Sequence, residues 1–512
     1  MSVRTKFTPL LIALLVLLAI VLRWYRLGRE SVWFDEGMTW WLASLPPMEM
    51  LRVIRGDVAA PVYFWLLHAW QWFTGDNIVA ARAFSALAGT LTFIPFGYLT
   101  RAVLQSSIAK CVAWGLFAVS FMGVQYAQEA RYYALLALLA TTALALLPVL
   151  ASRRHWGAMV GYVLCAVVGL YTHNMMLFAI TGLNVAWLVW PGERTLRQRM
   201  IDLVIANTTI AVLYLPWLPT LIEQTKWMTG AFWADRPGAM ALGVTTAAIS
   251  GVDVYAPPGA AWRILGITRI TAEGVAAFVA LELLFIIVLA LSTRDSKHRR
   301  VVLALMSAAL LPVLLVFIYS QLRQPVFMER VFIASSVVLP LLLAMAVDVG
   351  RAQPVRVIGG FAVGAIGLLG VVSTTGLLAT ERKEDWRGAY EFVSTMPASD
   401  RRVILFVANE GELPFAYYGS RDTQRLAEIR TGTPQGFFDL DPPKTIRRVT
   451  SDADLDHLKR LIASKKYDEI VLIQSHEAFS DPNGMTEAFL REHARVIDQR
   501  TLRLVRAIRF KL

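Results

Sequence analysis

Residues 10–41 read LLIALLVLLAIVLRWYRLGRESVWFDEGMTWW. An apolar run gives way, within a dozen residues, to two adjacent carboxylates, Asp35 and Glu36, set among large aromatics. The run begins at about residue 8. It is followed by RWYRLGRE rather than a small-residue cleavage site, so it reads as an uncleaved first membrane span and not as a signal peptide. Two neighbouring carboxylates close to a bilayer surface are costly to desolvate, which makes them the first residues to explain.

The whole chain has the same apolar character. Its 512 residues are 56% hydrophobic and 17% charged, with a mean hydropathy of +0.51, too apolar for a soluble protein of this size. The net charge of +12 does not call for nucleic acid, because Lys and Arg accumulate in the cytoplasmic loops of membrane proteins. Cys111 and Cys165, the two cysteines, both sit inside apolar runs and read as packing residues.

Apolar runs recur near 8–22, 78–100, 111–126, 132–150, 157–173, 175–190, 201–219, 270–292, 301–320, 330–349 and 357–378. Each approaches the ~20 residues that a helix needs to cross a bilayer. Compact basic loops (Arg153 and Arg154; Arg194, Arg197 and Arg199; Arg294, Lys297, Arg299 and Arg300) alternate with loops richer in motif residues. The basic kind is expected in the cytoplasm, and the other kind, with everything after 380, outside it. Residues 61–74 break this parity and are expected to form an interfacial or re-entrant helix. Arg23, Arg26, Arg29, Arg52 and Arg55 lie in the first outer loop, against the usual bias. They suggest either an anionic partner there or snorkelling to headgroups.

Past residue 380 the pattern changes to alternating helices and strands: ERKEDWRGAYEFV (helix), RRVILFVAN (strand), DADLDHLKRLIASKK (helix), YDEIVLIQS (strand), then a helix and a closing hairpin. The expected fold is a polytopic α-helical membrane protein with a small C-terminal α/β domain, divided as 1–379 and 380–512. No Gly-rich phosphate loop, zinc-type Cys/His spacing, Gly-x-Ser-x-Gly motif or repeat is present in the sequence.

The outer loops bring ionisable and polar residues to one membrane face. Asp35, Glu36 and Asp57 come from the first. Gln128, Glu129, Arg131 and Tyr132 come from YAQEARYYAL, His173 and Asn174 from YTHN, and Glu329 and Arg330 from RQPVFMER. Each has a plainer reading alone: a Glu–Arg pair usually ties helices together, and a histidine at a span end is usually a satisfied interfacial residue. As a converging set they are functional candidates.

The ordered series (the acidic pair, GDVAAPVYFWLLHAW, AARAFSALAG, YAQEARYYAL, YTH) resembles the GT-C glycosyltransferases. Specifically, it resembles bacterial relatives of protein O-mannosyltransferases and of the lipid A aminoarabinose transferase. The resemblance covers most of the chain, including RKEDWRGAYEFV, and implies eleven to thirteen spans with a trailing extracytoplasmic domain. Where that family usually has Pro-Pro-Leu-Tyr, this chain has Ala60-Pro61-Val62-Tyr63.

The resemblance implies sugar transfer from a polyprenyl-phosphate-linked donor to a glycan, lipid or protein hydroxyl. The site would lie on the periplasmic face of a bacterial inner membrane, among membrane lipids and without nucleic acid. Asp35 is then the expected general base. Glu36 would orient it, bind a sugar hydroxyl or help ligate a divalent cation. Asp57, Tyr63, Gln128, Glu129 and His173 are expected near the substrate, and Arg131, Arg330, Lys383 and Arg387 near the donor phosphate, whose developing charge calls for cations. A lipid or solute transporter and a non-catalytic scaffold are the competing readings. A transporter would usually show charge in its span interiors, where Glu282 is the main example here.

Overall fold

The computed structural model describes residues 3–57, 59–228, 236–253, 295–348, 353–397, 399–408, 411–421, 430–432, 450 and 452–512. The expected run at 270–292, with Glu282, lies outside them. By its contacts the chain forms two compact units. One comprises Met1–Leu27, Val58–Tyr63 and Arg82–Thr380, the other Gly28–Asp57, Phe64–Ala81 and Glu381–Leu512. The expected division at 379/380 separates two continuous pieces. By contacts, two stretches of the N-terminal region group with the C-terminal residues.

The first unit is helical. Among the described residues, five helices are long and apolar enough to cross a membrane: Ile78–Val103, Tyr133–Ser152, Leu196–Lys226, Ser296–Leu322 and Arg356–Ala379. Thr8–Trp24, Ser107–Ala118, Trp156–Leu170, Met176–Val189 and Ala239–Ile249 are shorter apolar helices. The run expected at 111–126 is not one span: the helix stops at Ala118, and Ser120 accepts from Gly123 N to cap a separate helix, Phe121–Gln125. Tyr162 Oη donates to Asn184 (2.7 Å), and Asn184 Nδ2 to Asn207 (2.9 Å), so three apolar helices are joined by a short polar ladder. At Gly182 a methyl group would stand 2.7 Å from Ser307 O, which is how closely Met176–Val189 approaches Ser296–Leu322.

The two kinds of loop gather at different ends of these helices. Arg199 and Arg300 donate to the Trp190 carbonyl, capping Met176–Val189 with the charge its C-terminus favours. Arg194 pairs with Asp202, Gln105 meets His298 at 3.0 Å, and the Asp348 carboxylate accepts from Gln105 N and Ser106 N. At the other end of Trp156–Leu170, about 22 Å away at 1.5 Å per residue, Val62 N donates to Tyr171 O and Tyr132 packs on His173. Arg23, read as a possible anion contact, is buried instead: its guanidinium lies over Phe93 and Phe117 and donates to Ala19 O and Phe117 O.

Among the described residues, the second unit holds a sheet of five strands, β1 (Arg402–Val407), β2 (Arg430–Gly432), β3 (Glu469–Gln474), β4 (Arg495–Leu502) and β5 (Val505–Lys511), in the order β2-β1-β3-β5-β4. β1 runs parallel to β2 and β3; β5 is antiparallel to β3 and β4. Because side chains alternate along a strand, β1 feeds two cores. Ile404 and Phe406 pack with Val471, Trp386, Tyr390 and Phe415, whereas Val403, Leu405 and Val407 pack with Ile470, Phe489 and Phe510. Helix Phe34–Ser44 belongs to this unit and lies against helix Glu412–Ser420. Gly37 makes the approach possible, since a β-carbon there would sit 2.6 Å from Pro414 N and 2.8 Å from its ring. Tyr418 Oη, accepting from Val32 N at 2.7 Å, fixes the chain entering that helix. Residues 61–74 form the 13-residue helix Val62–Thr74, followed by Gly75 at φ +81°.

Candidate active site

Two constellations hold the expected residues, one in each unit. In the sheet-containing unit, Asp35 and Glu36 occupy the first turn of helix Phe34–Ser44, where the helix dipole favours negative charge. Trp33, the N-cap residue, makes no side-chain bond to that turn. Thr39 donates to Asp35 O. Glu36 is fully buried and its carboxylate lies 3.1 Å from Lys383 Nζ. That ammonium also sits 5.6 Å from the centre of the Trp33 ring. Asp35, 9% exposed, is the more accessible of the acidic pair. Lys383 is held in place through its own backbone: Glu30 accepts from the N–H groups of Arg382 and Lys383.

Beside this turn lies a group absent from the sequence expectations. Glu384 is buried; its Oε2 accepts from Trp386 Nε1 at 2.6 Å and from Phe34 N at 3.4 Å. Its Oε1 is 3.2 Å from His476 Nε2, and His476 Nδ1 is 3.1 Å from Ser475 Oγ. Burial pushes the Glu384 carboxyl above the usual carboxylate range, with His476 opposing the shift and the Asp35 charge adding to it. His476 follows β3 in the left-handed region at φ +53°, with its ring edge-on to Phe34.

Arg387 reaches the same neighbourhood, but its guanidinium donates to Gly28 O and Arg29 O and lies over Tyr418. It pins the segment before the acidic pair. Asp57 stands past the end of helix Pro47–Arg55 with its N–H on Ile54 O.

In the helical unit, Tyr63, Arg131 and His173 come together around Tyr132. Arg131 Nη2 donates to Tyr132 Oη at 3.0 Å, and its guanidinium lies 4.6 Å from the ring centre. His173 packs 4.6 Å from the Tyr132 ring, and Tyr63 meets that ring edge-on at 6.2 Å. Tyr63 Oη and Ser85 Oγ are hydrogen-bonded at 3.0 Å, and Ser85 Oγ also donates to Arg131 O at 3.2 Å. Burial, reinforced by the positive charges of Arg131 and Arg330, pushes the His173 imidazole down to about 3. It is therefore neutral, and because Nδ1 accepts from Met175 N, the proton sits on Nε2. Glu129 is buried in the same turn as Arg131. Gln128 is occupied elsewhere: its amide donates to Leu22 O and Tyr25 O and anchors the end of the first helix.

Two guanidinium groups beside a neutral histidine and a cluster of tyrosines suit an anionic, partly apolar ligand such as a lipid phosphate. Among the described residues, no three His, Cys, Asp or Glu side chains gather as a metal site. A divalent ion at Asp35 and Glu36 would have to share Glu36 with the Lys383 ammonium.

No protein-family model matches the chain, and no curated protein matches it. Among solved structures it is similar to ArnT from Cupriavidus metallidurans in the apo state. The two are 13% identical over 99% of this chain and 98% of that one, with a TM-score of 0.48. It is also similar to the same protein bound to undecaprenyl phosphate, at 12% identity, 99% and 98% coverage and a TM-score of 0.44. At these values the likeness transfers neither a substrate nor a residue's role to this chain.

Proposed function

We propose that the chain is a membrane glycosyltransferase that moves a sugar from a polyprenyl-phosphate-linked donor to a hydroxyl acceptor, with Asp35 as general base. The observation that carries this reading is the buried first turn of helix Phe34–Ser44. Glu36, fully buried, lies 3.1 Å from the Lys383 ammonium there, and Asp35 is the more exposed carboxylate of the pair. That division of labour fits a base whose partner orients the turn rather than competing for the proton. Attack by a hydroxyl on an anomeric carbon needs the proton removed as the bond forms, and a carboxylate within hydrogen-bond reach can take it. The leaving phosphate gains charge as the glycosidic bond breaks. We assign its stabilisation to Arg131, whose guanidinium lies over Tyr132 beside His173, and to Arg330.

The motif order supports the donor class, and the gathering of the basic loops at one end of the helices supports the periplasmic face as the place of reaction. The domain division at about 380 and the contacts of Asp57, Tyr63, Glu129 and His173 with substrate belong to the same proposal. The decisive experiment is transfer from a purified polyprenyl-phosphate sugar by the full-length protein in nanodiscs. Asp35→Asn keeps the size of the side chain and removes the base, and should cost about 10²–10⁴-fold in turnover. A variant within a few-fold of wild type would remove Asp35 from the mechanism. Replacing Arg131 or Arg330 by Ala should weaken donor binding, with Lys restoring only part because it lacks the planar fork.

A further inference from the structure

Glu384 has no part in the reaction as set out above, yet it is the most elaborately held carboxyl near the acidic pair. One oxygen accepts from the indole of Trp386 and from the backbone N–H of Phe34, the residue immediately before Asp35. The other faces His476, which is half-exposed and is backed by Ser475. This arrangement links a solvent-facing imidazole, through a buried carboxyl, to the turn that carries Asp35. A purely structural acceptor for Trp386 and Phe34 could be an amide. A carboxyl facing a histidine adds a charge whose presence depends on its partner.

We propose that Glu384, bridging His476 and the Phe34 N–H, is a positioning residue for Asp35, holding in place the turn that carries it. The inference rests on the reading of Asp35 as general base and deepens it. The groups that face Glu384 are His476 from the loop after β3, Asp35 and the Phe34 N–H from the acidic helix, and Trp386 from its own segment. Lys383, next in the chain, is taken up with Glu36. Around His476 stand Glu477 and Arg506, themselves 3.8 Å apart. Two carboxylates close together cannot both ionise freely, so a charged Glu384 makes Asp35 a stronger base. Without the His476 contribution that opposes burial, the Glu384 carboxyl is held further above the usual range, and that push on Asp35 weakens.

The test follows the Asp35 carboxyl itself, by carbon NMR of aspartate-labelled full-length protein in nanodiscs, with Asp35→Asn used to assign the signal. In Glu384→Gln, whose amide oxygen can still accept from Phe34 and Trp386, Asp35 should titrate about one pH unit lower than in wild type. His476→Gln, a change at a half-exposed position that leaves both of those bonds intact, should move it in the same direction. The acid limb of the transfer rate should shift with it, at nearly unchanged maximal turnover. An Asp35 titration unmoved in both variants overturns the proposal, whatever the activity. A wild-type protein without transfer activity, or an active Asp35→Asn, overturns the general-base reading instead. If Glu384→Gln fails to fold, His476→Gln decides alone.

Discussion

Gly37→Ala tests how tightly the acidic helix is seated. The added methyl would lie 2.6 Å from Pro414 N, 2.8 Å from Pro414 Cδ and 3.0 Å from Pro414 Cα. All three atoms belong to the backbone or to a ring fused to it, so no rotamer change relieves the clash. Reaching an ordinary contact of about 3.4–4 Å requires the helices to part by roughly 1 Å, which loosens the Trp40–Tyr417 and Tyr418–Val32 contacts on either side. Overpacking of this kind costs about 1–3 kcal/mol, and the better helix propensity of Ala returns at most about 1 kcal/mol. The net expectation is a loss of about 1–2 kcal/mol, with transfer activity falling further because Asp35 rides on the displaced turn. Gly364→Ala is the control: nothing lies within 4 Å of the built methyl, so it should be neutral or slightly stabilising. Denaturation of both variants in the same detergent, followed by the fluorescence of the buried Trp386, makes the comparison. A Gly37→Ala protein as stable as the control would refute the close approach of Pro414.

The remaining predictions concern charge and sidedness. Breaking the buried Glu36–Lys383 contact from one side, by Glu36→Gln or Lys383→Met, should cost about 3 kcal/mol. The double variant should recover part of that in a double-mutant cycle; additive losses would mean the two are not coupled. His173, with its folded-state value near 3 against 6.5 in the free residue, binds fewer protons in the folded chain than in the unfolded chain between those limits. Its contribution is complete above pH 6.5 and is lost as the pH falls toward 3, so His173→Gln should flatten the fall in stability over that window; an unchanged slope would count against its burial. Cysteines placed at Ser399 and Ser296, in a background without Cys111 and Cys165, should label from outside and only after membrane disruption, respectively. The opposite pattern would place the acidic pair in the cytoplasm.

Hydropathy made most of the helical unit readable, because a run of about 15 apolar residues has few other uses. It could not show the stop at Ala118, which depends on the Ser120 hydroxyl turning back on Gly123 N. In the sheet unit, β1 and β3 were legible as continuous apolar runs. β2, three residues long, and helix Glu412–Ser420, with Pro and Gly inside it, were not. Asp35, Glu36 and Lys383 could be picked out by type and surroundings. Glu384 could not, because its value comes from His476, 92 positions away in sequence, and nothing in the residues around position 476 singles out that histidine. Gln128 and Arg387 show the converse limit: residue type suggests a ligand, while backbone carbonyls near the end of the first helix take up both side chains.

The seating of the acidic helix sets a rule for anyone cutting or grafting this chain. A truncation after residue 380, or a chimaera that exchanges only the C-terminal part to change the acceptor, would take away Lys383, Pro414 and Tyr418. The acidic helix would then be left without its bed. Lost activity in such a protein would report a dislodged carboxylate, not a missing acceptor site. A transplantable module has to carry residues 28–57 and 64–81 along with 381–512, so the gene segment that would move as one functional piece is discontinuous.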